Sequence, residues 1–322
     1  MPEITIRSRN LRLADLPLLS DKETLYTFDP RSLLDECLGK HRYIVSCENQ
    51  LTNSLAGQHI AVNQYAVKHT DPSRNKLLTV AISEDPRISL YKRLANTAIP
   101  AAIKRLFVAV PHPEADSLAC QKGWDINYPY SDFLAYNNKI SQKERLGDLT
   151  PAWAIIDPAS DNLESSEAYY IKRAIGAGGF ATFHTSDLTG MKQAIQAYPS
   201  KWYKEKAIEG APRSVQLFRN GPKDYTLFGY SEMKIRFQKN YAGGLMKKIN
   251  NLPDYLNENL ACALFRLDPL FGDYTGFLGL DFIEADKKMF ILEANVRTTM
   301  ATFATLQLNE SHREELEFFH FQ

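Results

Sequence analysis

The chain has 322 residues, 44% of them hydrophobic and 24% charged, the proportions of an ordinary globular protein with two or three compact units. Its 38 Lys plus Arg balance 38 Asp plus Glu, so no global field draws it to nucleic acid or an anionic membrane, and a polyanion needs a local site. Four scattered cysteines without a CxxC pair, and seven histidines without HxxxH or HxH spacing, argue against a zinc site and suit reduced thiols in a cytoplasmic chain.

The first twenty residues mix charges and hold no apolar h-region, so a secretory leader is not expected. Apolar runs such as LFVAV (106–110) are too short for a bilayer span. Strands are predicted at 42–46, 59–67, 77–82 and 105–110, and helices at 29–40, 89–99 and 112–123. That alternation favours an N-terminal α/β domain, residues 1–132, with a parallel sheet covered by helices. No GxGxxG follows any of these strands, so a dinucleotide fingerprint is absent. Turn-prone residues cluster at 125–132 and mark the end of the unit.

A helix is predicted through YNNKISQKERLGD, closed by Gly147 and Asp148. Extended chain follows at 150–157 and a polar loop at 158–167. AYYIKRA (168–174) reads as a strand that leads into the glycine-rich IGAGG. Ser186 can cap a helix over 187–198. KWYKEKAIEG (201–210) is a strand ending in a turn, and 213–218 and 225–237 are further strands. Leucines 256, 260, 264 and 267 give 253–267 a helical period. Residues 274–298 read as a β-hairpin.

Side chains alternate faces along a strand, so Glu293, Asn295 and Arg297 share one face of the second arm. A three-residue loop, Asp286 to Lys288, pairs Ala285 with Met289 and sets Asp281 opposite Glu293. A two-residue turn sets Asp281 opposite Leu292 instead. Opposed carboxylates destabilise a sheet unless positive charge lies between them. A hard divalent cation meets that need, with the Asn295 carbonyl as a further ligand. A solvated strand face with alternating polar residues fits the same pattern.

Lys172 precedes Gly176, Gly178 and Gly179, whose backbone can turn N–H groups toward a phosphate. A Gly-rich hairpin turn is the plainer reading, and no GK[ST] follows. Lys139 is a second candidate cation, and a solvated surface lysine is its plain alternative. Glu205, in YKEKAIEG, can accept from the exocyclic amine of a flat heterocycle; an amphipathic edge strand explains the segment equally. Glu232, Lys234 and Arg236 share a face suited to a salt-bridged surface or to a substrate carboxylate.

In their order along residues 137 to 300, these motifs resemble the ATP-grasp superfamily. The resemblance implies an ATP-grasp domain over 133–322, α+β in class, with a small lobe at about 133–207, a hinge at about 205–210 and a large lobe at about 211–322. It implies that Lys139 and Lys172 bind ATP phosphates and that the loop Gly176–Gly179 covers them. Glu205, Lys206 and the backbone near Ile208 would hold adenine, with Glu209 a ribose candidate. Asp281, Glu293 and Asn295 would hold one or two Mg²⁺ ions, for which Mn²⁺ can substitute. Arg297 and Lys172 would act on the transferring phosphoryl group and the acylphosphate. The implied activity is ADP-forming ligation of a small-molecule carboxylate to an amine, by an enzyme able to form a homodimer and needing no nucleic acid or membrane. A non-catalytic ATP-binding protein with the same clamp is the alternative. KEKAIEG is locally similar to biotin-dependent carboxylases, but the short tail after 298 argues against a full carboxylase.

Overall fold

The computed structural model describes residues 4–11, 24–28, 42–46, 75–77, 103–108, 111–157, 167–176, 182–185, 200–236, 240–249 and 253–319, together with a few isolated positions. Two compact units emerge, and neither is one continuous stretch. One joins Leu11–Phe133 with Arg297–His312 and Phe321–Gln322; the other joins Met1–Asn10 with Leu134–Val296 and Arg313–His320. Strand β1 (Thr5–Ser8) belongs to the second.

The first unit holds β2 (Thr24–Phe28), β3 (Arg42–Ser46), β4 (Asn75–Leu77), β5 (Arg105–Val108) and β6 (Asp125–Ile126). All pair in parallel, in the order β4-β3-β2-β5-β6. Helix α1 (Pro113–Lys122) starts where the sequence supplies a cap. The His112 ring accepts the Glu114 N–H at 3.2 Å, proline takes the first turn, and Glu114 and Asp116 complement the helix dipole. Gly123, at φ 66°, ends it in the left-handed conformation. Ala115, Leu118 and Ala119 then pack on Ile103, Leu106 and Val108 of the sheet. Of the strand predicted at 77–82, Leu77 lies among the described residues, in β4, and the rest falls outside them. The turn-rich 125–132 contains β6 and the start of α2 (Tyr130–Tyr136), whose Tyr130 N–H is bound by Asp116 at 3.0 Å. The elements expected at 29–40 and 59–67, and the Ser186 cap, lie outside the described residues.

The second unit begins its chemistry on α3 (Lys139–Leu146). Asn138 caps it by accepting the Ile140 and Ser141 N–H groups at 3.1 and 3.3 Å. The helix predicted from Tyr136 therefore starts later, because Asn138 is extended. Strands β7 (Trp153–Ile156), β8 (Tyr169–Arg173), β9 (Thr182–His184) and β10 (Trp202–Lys206) form an antiparallel sheet in the order β7-β10-β8-β9. Alternation divides β10. Trp202 packs with Ile156, Tyr169 and Ile171, while Tyr203 packs with Ile140 of α3 and Ala174. Glu205 therefore shares the Tyr203 face, toward α3.

After the four connecting residues 207–210 the chain enters a second sheet at β11 (Ala211–Gly221). Gly210 sits so close to β14 (Gly276–Ala285) that a Cβ there would lie 2.5 Å from the Glu284 carbonyl oxygen. Strands β11, β12 (Asp224–Arg236), β13 (Asn240–Lys247), β14, β15 (Lys288–Asn295) and β16 (Glu315–Phe319) are antiparallel, in the order β15-β14-β11-β12-β13-β16, and β1 adds in parallel to β12. Helix α4 (Asp254–Leu267) buries Leu256, Leu260, Leu264 and Leu267 and packs with α3 and β15. Beyond β15, Thr299 and Thr302 form a capping box that starts α5 (Met300–Glu310), which lies in the first unit.

The β14–β15 hairpin corrects one expectation. Its turn has two residues, Asp286 and Lys287, at φ 50° and 60°, and Ala285 pairs with Lys288. That left-handed pair matches the twist of tight hairpins. Asp281 nevertheless faces Glu293. A register shift between Asp281 and Phe282 pairs Phe282 with Ile291 and leaves Leu292 as the extra residue of a bulge.

Candidate active site

One helix connects two acidic positions on different sheets. Lys139 and Lys143 lie four residues apart and so share a face of α3. Lys139 Nζ lies 2.6 Å from Glu293 Oε2 on β15. Lys143 Nζ contacts the Glu205 carboxylate on β10, and both side chains are 1% exposed. Lys172 of β8 reaches the other Glu205 oxygen at 2.5 Å. Its placement follows from register: Lys172 pairs with Tyr203, two positions before Glu205.

Two side-chain amides hold this helix in place. Gln142 accepts the Ala294 N–H at 2.9 Å and donates to the Ala294 carbonyl at 2.7 Å. Asn137 accepts the Val296 N–H at 2.9 Å and donates to its carbonyl at 3.4 Å. The β15 edge thus receives from two amides what a further strand would give it.

Electrostatics follow from burial. Desolvation lowers the Lys143 pKa to about 8; Glu205 opposes that shift, and Lys172 and Lys139 add to it. For Lys172, burial disfavours the ammonium, but Glu205 outweighs it and holds the group above its ordinary range, aided by Glu293. Burial pushes the Glu205 carboxyl up, and Lys172 and Lys143 together bring it below the usual value. The charge on Glu293 is felt at Lys172, so the Glu205 and Glu293 clusters act on one another.

On the hairpin, Asp281 and Glu293 are register partners. The Asn295 carboxamide donates to Asp281 at 2.9 Å and to Glu293 at 3.4 Å. Two facing carboxylates that draw an ammonium and an amide N–H favour positive charge, and their donors are hard oxygens. Among the described residues no three His, Cys, Asp or Glu side chains gather as a metal cluster. A two-carboxylate set suits an ion that takes its remaining ligands from substrate and water, as Mg²⁺ does.

The other positions singled out in the sequence are placed as follows. Gly176 lies three residues past β8, and Gly178 and Gly179 fall outside the described residues. Lys206, the last residue of β10, is exposed; in the segment joining the two sheets Ile208 is half-buried and Glu209 exposed. The Lys206 N–H is taken by the Ala152 carbonyl at 2.8 Å. The Glu205 carboxylate is engaged by two lysines. Arg297 is not on the strand face: β15 ends at Asn295, Arg297 falls in the first unit, and its guanidinium donates to the Thr298 carbonyl at 3.1 Å. The sequence reading passed over Lys143. Its signal was the four-residue spacing from Lys139.

The model of the ATP-grasp domain matches residues 136–301, just over half of the chain. This chain belongs to the ATP-grasp family. Among solved structures, the ATP-grasp chain is similar to the L-amino acid ligase of Bacillus licheniformis, at 12% identity and TM-score 0.56, over 89% of this chain and 74% of that one. It is similar to the D-alanine–D-alanine ligase of Bacillus anthracis complexed with ATP, at 13% identity and TM-score 0.51, over 85% of each chain. A third likeness is to the N5-carboxyaminoimidazole synthetase of Staphylococcus aureus complexed with ADP, at 13% identity and TM-score 0.54, over 89% of this chain and 76% of that one. These are likenesses of fold. No curated protein sequence matches the chain. No helix among the described residues is long and apolar enough to cross a membrane.

Proposed function

We propose that this ATP-grasp chain is an ATP-dependent ligase that joins a small-molecule carboxylate to an amine. The observation that carries the reading is the set of three ammonium groups, of buried Lys139 and Lys143 and half-buried Lys172, held by Glu205 and by Glu293, which faces Asp281. Three cations and two facing acids in one place suit a polyphosphate with its metal. Asp281, Glu293 and the Asn295 amide oxygen would hold Mg²⁺, which when bound neutralises phosphate charge. Lys143 and Lys172 are fixed by Glu205 before substrate arrives, so little reorganisation is needed to meet phosphate oxygens. The segment from Ala207 to Gly210 would receive adenine through its backbone, since the Glu205 carboxylate is held by lysines. A substrate carboxylate oxygen attacks the γ-phosphorus, the bond to the β-bridging oxygen breaks, and an acylphosphate and ADP result. The amine then attacks the acyl carbon, loses a proton, and expels phosphate.

The test is product analysis with Mg-ATP and a panel of amino acids offered in pairs. ADP and phosphate should appear in equal amounts only when an acceptable pair is present, and Glu293→Gln should abolish the turnover. AMP with pyrophosphate as products, or full activity in Glu293→Gln, would overturn the reading.

A further inference from the structure

Lys143 is buried, but Arg145, two positions on, is exposed. At 3.6 residues per turn they point about 200° apart, to opposite sides of α3. On the Arg145 side a cavity of about 400 Å³ opens, lined by Arg145, Lys223, Phe265, Arg266, Asp268 and Pro269. Pockets that enclose small molecules begin at about this size.

The lining is cationic in a chain of zero net charge. Three basic side chains face one carboxylate, and that carboxylate is already satisfied. Asp268 receives the Arg219 guanidinium at 3.0 Å, the Tyr225 hydroxyl at 2.5 Å and the Lys223 N–H at 3.0 Å. Arg266 is partly engaged, by the Leu146 carbonyl and by exposed Asp148 at 2.6 Å, which serves the ends of α3 and α4. Arg145 has no ion pair among the described residues.

Lys223 is the informative residue. It occupies the β11–β12 turn at φ 59°, where a lysine is strained and glycine is at ease. Its N–H bond to Asp268 holds that conformation, and its ammonium stands 6.0 Å over the Phe265 ring. Phe265 itself is 40% exposed. Lys287 has the same left-handed φ in the β14–β15 turn, so the conformation serves the turn; what marks Lys223 is an exposed ammonium beside an uncovered aromatic ring and Arg145 on one cavity wall.

We propose that this cavity is a second ligand site, for a small phosphate monoester carrying a ring, separate from the candidate active site. Arg145 and Lys223 supply the charge for a dianion, and Phe265 and Pro269 supply the surface for the ring.

The experiment is calorimetric titration of the full chain with phenyl phosphate, with and without saturating Mg-ATP. One saturable site is expected, unaffected by Mg-ATP. Arg145→Ser and Lys223→Gly should each weaken it about tenfold, the loss of one charge-assisted contact. Phe265→Ala should weaken phenyl phosphate more than inorganic phosphate. Lys223→Gly keeps the N–H to Asp268 and relieves the strained φ, so its thermal midpoint should hold or rise while affinity falls. That combination separates a ligand role from a folding role. Displacement by Mg-ATP, absence of saturable binding, or unchanged affinity in both charge variants would overturn the proposal.

Discussion

Glu205 is surrounded as a buried acid must be, with an ammonium on each oxygen. Burial strips Lys143 of water, and the neighbouring ammonium of Lys172 adds to the cost of its charge, which Glu205 only partly offsets. Lys143 has a folded pKa of about 8 against 10.5 for the free side chain. Between those values the unfolded chain binds more protons, so this residue's contribution to stability rises with pH there; below pH 8 its charge is a cost. In urea unfolding, the stability of the wild type relative to Lys143→Met should therefore increase from pH 8 to pH 10, by ~2 kcal/mol at most. If Lys143 meets phosphate as proposed, kcat/KM for ATP should fall above pH 8 as the ammonium is lost. Lys143→Arg, which stays charged, should shift that limb upward. A flat profile through pH 9 in the wild type would remove Lys143 from phosphate binding. The four-residue spacing of Lys139 and Lys143 was visible in the sequence. That both would be buried was not, because it depends on Glu293 and Glu205 arriving from distant strands.

Among the elements, the junction of α3 with β15 decides the geometry. Gln142 and Asn137 bond both backbone groups of Ala294 and Val296, so the helix carrying two of the lysines is registered to the strand carrying Glu293. Gln142→Leu should cost ~2–3 kcal/mol, since it leaves a buried N–H and C=O without partners. It should also reduce turnover more than it weakens substrate binding, as Lys139 drifts from Glu293. Chemical denaturation and steady-state kinetics check the two effects, and an unchanged midpoint would show that water replaces the amide. Nothing in the local sequence marks Gln142 for this task. A glutamine in a helix reads as surface until the strand edge it serves is known. The hairpin makes the same point. Both arms were legible from their alternation, and the Asp281–Glu293 pairing was reached with a loop one residue too long. The left-handed conformation of Asp286 and Lys287 tightens the turn, and the bulge at Leu292 restores the pairing.

At the scale of the molecule, the chain interleaves its units: residues 1–10 join the sheets of 134–296, and 297–312 return to the N-terminal unit. Binding of Mg-ATP to residues of the second unit should stabilise it by linkage, about 2.7 kcal/mol at a hundredfold excess over Kd. The thermal transition should rise accordingly, and Lys172→Ala should remove most of the rise; an equal rise in that variant would place the nucleotide elsewhere. The α/β class, the parallel N-terminal sheet, the hairpin and the family were set by the sequence alone, because alternation, helical period and motif order are local properties of a chain. The β16 strand and the α5 helix escaped that reading. What only the tertiary structure decided is which charges meet. Lys143 with Glu205 and Lys139 with Glu293 are encounters between distant segments, and the burial that gives each its chemistry exists only once sheets and helices have packed.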